Sequence, residues 1–199
     1  MANEIKAKQN GSVALFGNDL QKGFENMTQD DMALPFIRIL GQLSPQVTDG
    51  DSKFIDGAKP GMIYNTVTND LFDGKKGIKV IPCYYKKDYP EWSDRGEGNA
   101  APVATHSPGS PVIQTGKRDG SKIRLPNGNY LEETAYYYVM VENKQGGYSP
   151  ALITMKSTQL SVSKKWNSMM KSVQIDDGKG GFAVPPMHGV VYNLQSNLQ

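Results

Sequence analysis

The stretch from Gly77 to Trp92, GIKVIPCYYKKDYPEW, constrains the fold more than any other part of the 199-residue chain. Its first half, Ile78, Val80, Ile81 and Cys83, is apolar at both alternating positions, as in a strand buried on both sides. Its second half turns aromatic and basic through Tyr84, Tyr85, Lys86, Lys87, Tyr89 and Trp92. Pro82 cannot donate a ladder hydrogen bond, which places it at a bulge or an edge and bends the strand as small barrels require. Two readings of the second half stand side by side. Rings interleaved with ammonium groups suit a ligand that has flat bases and regularly spaced phosphates. Taken alone the stretch favours the plainer reading, in which the tyrosines cap a core while the neighbouring lysines stay in water.

Composition narrows the classes. Twenty-one glycines, twelve prolines and few long apolar periodic runs favour short strands and long loops over a helical bundle. No apolar run approaches the ~20 residues that cross a bilayer, and the polar start MANEIKAKQNG lacks the apolar core of a signal peptide, so a cytosolic protein without membrane contact is expected. The single cysteine, Cys83, lies in an apolar run; it is expected as a buried, reduced thiol, and it excludes an internal disulfide or a cysteine-based zinc site. Net charge is +2, but the distribution is uneven: residues 1–60 carry six Lys/Arg against eight Asp/Glu, and residues 61–130 carry ten against seven. The basic excess lies in the middle of the chain.

In chain order, residues 1–17 are polar and are expected to form a flexible arm ahead of a single domain over 18–199. From Asn18 to Met32 there is a weak helical signal, with Asn18 as a cap and Thr28 with Asp31 resembling a capping box, and Pro35 ends it. FIRILGQL is expected to be extended or mixed, burying Phe36, Ile37, Ile39, Leu40 and Leu43. MIYNTVT, Met62 to Thr68, predicts a strand that forms a hairpin with the Gly77–Trp92 strand through the Asn/Asp/Gly/Lys-rich turn between them. Residues 93–128 form a long loop, with a weak hairpin signal around Val112 to Ile123 and a basic cluster of Lys117, Arg118, Lys122 and Arg124; that cluster either closes over a polyanion or is a solvated charge run.

ETAYYYVMV and PALITMK predict a second hairpin, with Ala135, Tyr137, Val139 and Val141 on one face and Tyr136, Tyr138 and Met140 on the other. From Ser157 or Thr158 to about Gln174 a helix is expected, with Val162, Trp166, Met169, Met170 and Val173 as its apolar stripe. MHGVVYNL closes the chain as a strand.

No catalytic constellation is legible. His106 and His188 are isolated, and neither GKGG nor TGKRDGS has the spacing or the Lys-Ser/Thr ending of a phosphate-binding loop. The Asp30-Asp31 and Asp176-Asp177 pairs fit caps and solubilising turns better than a magnesium site. The expectation is a protein that is not an enzyme and uses no metal or other cofactor. The order hairpin, long loop, hairpin, helix, strand fits a mainly β protein, an OB-like small antiparallel barrel with one helix between strands and a long central loop; a β-sandwich fits the same signals.

The runs DDMALPFIRILGQLSPQV, GAKPGMIYNTVTNDLFDGKKGIKVIPCYYKKDYPEW and STQLSVSKKWNSMM resemble a group of tailed-bacteriophage proteins, several of them assigned as single-stranded DNA-binding replication proteins. The resemblance covers most of residues 29–175. It departs at the end, NLQSNLQ, which lacks the acidic tail that many such proteins use to recruit partners. The resemblance implies coating of single-stranded DNA without sequence specificity during replication or recombination, inside the host cytoplasm. Phage replication proteins and further copies of the chain are the other partners it implies. Lys86, Lys87, Lys117, Arg118, Lys122 and Arg124 would then neutralise phosphates, while Tyr84 or Tyr85, Tyr89, Trp92, Tyr136 and Tyr138 would stack on bases. The alternative is a phage structural or host-protein-interaction protein without nucleic-acid binding.

Overall fold

In the computed structural model the described residues are 23–94 and 101–196. The proposed arm at 1–17, the Asn18 cap and part of the 93–128 loop lie outside them. The chain divides into two units, Met1–Ala33 and Leu34–Gln199. Among the described residues of the first, the 3-10 turn Gln29–Asp31 follows Thr28, whose backbone N–H and hydroxyl both donate to the Asp31 carboxylate at 2.8 and 2.7 Å. Only the acidic half of a capping box is formed.

The second unit is built on strands β1 (Phe36–Ile39), β2 (Ile63–Asn65), β3 (Leu71–Phe72), β4 (Ile78–Trp92) and β5 (Ala104–His106). A short helix α1 (Pro111–Thr115) leads to β6 (Lys117–Asp119), β7 (Lys122–Arg124), β8 (Tyr130–Glu132), β9 (Thr134–Glu142) and β10 (Tyr148–Lys156). Helix α2 (Gln159–Ser172), a small β11 (Ile175–Asp176)/β12 (Phe182–Ala183) hairpin and β13 (Tyr192–Leu194) complete it.

Among the described residues eleven strands share one sheet in the order β3-β2-β1-β10-β9-β4-β8-β7-β6, with β13 and β5 on the other edge of β4. The path is open and not a closed barrel, and β1 runs parallel to β10, so the expected mainly β class holds as a large mixed sheet.

Several local expectations change. The β2 strand pairs with β1 and β3, and β4 pairs with β9, because the turn after Asn65 returns the chain within a few residues through Leu71 and Phe72. The 93–128 segment is largely structured: β5, α1 and the β6/β7 hairpin lie within it, and the hairpin turns at Gly120-Ser121, later than the weak signal placed it. Ile39 and Leu43 are exposed, Leu43 at 95%, since β1 ends at Ile39 and Gly41–Ser44 turns outward.

The bulge inferred from Pro82 is present: Pro82 pairs with Val139 and Tyr84 with Tyr138, leaving Cys83 as the extra residue. Cys83 is therefore exposed and not a buried thiol, because the residue added at a bulge has no place in the pleat.

The core lies on one face of the sheet. Ala135, Tyr137, Val139 and Val141 are all buried there with Ile78, Val80 and Ile153, under Trp166 and Met170 of α2. The helix buries Ser163, Trp166 and Met170, while Val162 and Met169 face out. The stripe runs through Ser163 because the Tyr137 hydroxyl reaches it: Tyr137 Oη and Ser163 Oγ lie 2.7 Å apart, and Tyr137 donates to Asn167 Oδ1 at 2.9 Å. A second cluster of Ile123, Leu125 and Leu131, with Tyr89, Val112 and Ile113 packed on it, covers the same face farther along β4. Gly77, at φ +79°, permits the turn into β4; a Cβ there would lie 2.5 Å from the Leu194 carbonyl oxygen.

Candidate nucleic-acid interface

Alternation along a strand assigns each side chain to a face, and one register governs the long pairing of β4 beyond the bulge. Tyr84 lies opposite Tyr138, Lys86 opposite Tyr136, Asp88 opposite Thr134 and, after β9 gives way to β8, Trp92 opposite Tyr130. These residues share the face opposite to the core. Two cross-strand rows result. Phe36, Leu152, Tyr138 and Tyr84 lie in register across β1, β10, β9 and β4. Lys117, Arg124, Tyr130 and Trp92 lie in register across β6, β7, β8 and β4.

The first row carries rings in a form open to a ligand. Tyr84 is 59% exposed, its ring centroid 5.8 Å from that of Tyr138 and tilted by 49°. Lys86 Nζ stands 5.2 Å from the centre of the Tyr136 ring, and Arg38 sits 5.3 Å over Phe36. In the second row Lys122 Nζ is 3.7 Å from the centre of Tyr130 and the Arg124 guanidinium 5.8 Å away, so one ring meets two cations. Trp92 is half-buried, and its indole N–H is buried without a hydrogen-bond partner among the described residues.

Of the residues expected to bind, Tyr84, Lys86, Trp92, Lys117, Lys122, Arg124, Tyr136 and Tyr138 are brought to this face. Tyr85, Lys87, Tyr89 and Arg118 are on the other one. Tyr85 packs against Tyr137 with ring centroids 5.0 Å apart, Tyr89 packs on the Ile123/Leu125/Leu131 cluster, and Arg118 pairs in register with Ile123. Lys87 forms an ion pair with Glu133 at 3.3 Å. Sequence reasoning missed Phe36, Arg38, Tyr130 and Lys156. The signal for Tyr130 was present: Tyr130, Glu132, Thr134, Tyr136 and Tyr138 recur at period two across a break between strands.

The face is not uniformly positive. Lys86 pairs with Asp88 at 2.9 Å, Lys156 with Glu132 at 2.7 Å, and Arg124 with Asp94 and Asp119 at 3.2 and 3.3 Å. Hydrogen bonding to Asp88 raises the Lys86 pKa, and the bonds to Asp94 and then Asp119 raise that of Arg124, so both cations hold their charge. Lys117 and Lys122 form no ion pair among the described residues.

On the core side of the strand a polar knot centres on the buried Glu91, next to Trp92 of the second row. Glu91 Oε2 lies 2.7 Å from His106 Nε2, and Glu91 Oε1 accepts from Asn129 and Asn127 at 2.6 and 3.1 Å. The Asn129 bond and the His106 contact hold the Glu91 carboxyl below the usual glutamate value of 4.5. A depressed folded-state pKa stabilises the fold above that usual value, and the contribution is lost as pH falls through the folded value. Glu91→Gln is therefore expected to cost about 1–3 kcal/mol at neutral pH, a deficit that narrows in melts below about pH 4. A deficit constant over the same range would show that the Glu91 charge plays no part.

Among the described residues no group of three or more His, Cys, Asp or Glu could hold a metal ion. No described helix is long and apolar enough to cross a membrane. The family model described as Pam3 phage gp34-like protein matches residues 7–199. This chain belongs to the Pam3 phage gp34-like family. It is thus a phage protein, and the family match spans every strand of the sheet face just described. No curated protein and no solved structure matches the chain of this gp34-like family member.

Proposed function

We propose that this phage protein binds single-stranded DNA without sequence specificity, coating it during replication or recombination in the host cytoplasm. The observation that carries the reading is the alternation of rings and cations on the sheet face opposite the core, from Tyr84, Lys86, Tyr136 and Tyr138 to Trp92, Tyr130, Lys122 and Arg124. Every base offers a π-face and every nucleotide a phosphate, so such a surface grips a strand without reading its sequence. OB-like barrels present oligonucleotides with a strand face of this kind; here an open mixed sheet would supply it. Phage replication proteins and neighbouring copies of the chain are the partners this role would bring.

An anisotropy titration with labelled oligo-dT tests the reading. Binding on the order of micromolar is expected at low salt, with log affinity falling against log salt by about 0.7 for each phosphate neutralised. Absence of binding at low salt would overturn it. The alternative, a structural or host-protein-interaction role, draws on the exposed Leu43 and Phe182, 95% and 76% accessible. That role would instead make tryptophan fluorescence depend on protein concentration and ignore DNA.

A further inference from the structure

The two rows of the interface are not continuous. Between them the same face holds Asp88, Pro90, Glu132 and Thr134, with Lys122 opposite Glu132 and Lys156 opposite Thr134; Pro90, Glu132 and Thr134 are buried, and none of these residues offers a ring on which a base could stack. Asp88 and Glu132 are carboxylates with side chains only 15% and 12% exposed, held by Lys86 and Lys156. Tyr84 and Trp92 stand eight positions apart on one strand without a register shift between them, a separation of about 26 Å at ~3.3 Å per residue.

We propose, resting on the single-stranded DNA reading above, that the face binds a strand at two separated stations, Tyr84/Tyr138/Lys86 and Trp92/Tyr130/Arg124, and lets it bridge the ring-free middle without base contacts. Occupying one station then raises the local concentration of the same strand at the other. Affinity depends on whether the strand can reach both, and the bases of the bridging nucleotides contribute little.

The experiment uses the full chain and three labelled oligonucleotides: a trinucleotide of thymidine, an all-thymidine strand of about twelve nucleotides, and a strand of that length whose central nucleotides are abasic. Two stations predict that the abasic-centred strand binds within about twofold of the all-thymidine one, while the trinucleotide binds at least a hundredfold more weakly. Tyr84→Ala and Tyr130→Ala are each expected to remove that advantage of length and to leave trinucleotide binding nearly unchanged. Melting curves of both variants establish that they are folded. A large loss on removing the central bases overturns the two stations and leaves the single-stranded DNA reading intact, since a continuous stacking groove would behave in that way. Failure of every strand to bind overturns both.

Discussion

Replacing Tyr137 with alanine is expected to lower the unfolding free energy by about 3–5 kcal/mol, the cost of a large aromatic-to-alanine truncation in a packed core. Tyr137 is fully buried at the centre of the sheet. Its ring packs on those of Tyr85 and Trp166, with centroids 5.0 and 4.5 Å away, and so helps to fix α2 on β9. Tyr137→Phe separates packing from hydrogen bonding. It keeps the ring but leaves Ser163 and Asn167 without their partner, and a loss of about 1–3 kcal/mol is expected. Urea unfolding of both variants measures the two contributions. A phenylalanine variant as stable as the parent would mean that the hydroxyl network is replaced by water or by itself.

The sharpest contrast in binding lies between two adjacent tyrosines. Tyr84→Ala removes an exposed ring opposite Tyr138 and is expected to weaken oligo-dT binding of long strands by about a hundredfold, the upper end of the range for one base-stacking side chain. Its melting temperature should stay near that of the parent, since little buried surface is lost. Tyr85→Ala is expected to do the reverse, because Tyr85 packs on Tyr137 within the core. Affinity per folded molecule should survive while stability falls. Equal losses of affinity from the two substitutions would show that the face is assigned wrongly.

These residues also show how far the chain could be read without coordinates. The Tyr137 face, the β9/β10 hairpin, the helix after it and the bulge at Pro82 were all legible, because period-two and helical apolar patterns and the missing proline N–H act locally. Strand partners were not. Ile63–Asn65 and Ile78–Trp92 are each credible strands, and nothing local tells that the first turns back on Leu71–Phe72 while the second pairs with Thr134–Glu142, far later in the chain. The candidate binding residues were legible as types and not as faces. A strand with both faces apolar in its first half gives no phase to extend into YYKKDY, so Tyr84 and Tyr85 entered on equal terms. Tyr130 was hidden for a related reason: its pairing with Trp92 depends on β8 continuing the register of β9 past Glu133.

The bulge has one further consequence. Up to Pro82 the even-numbered residues of β4 face the core, as Ile78 and Val80 do; from Tyr84 onward the even-numbered residues face away from it. Cys83 is the half-step that shifts the phase of the strand, and its two halves are thereby constrained independently. Removing Cys83 would restore a regular ladder and leave every other residue on its present face. Inserting one residue between Cys83 and Tyr84 would exchange the tyrosines and lysines of the two faces as a set and turn the core side of the strand outward. The length of this strand is therefore a stricter requirement than the identity of its most reactive residue.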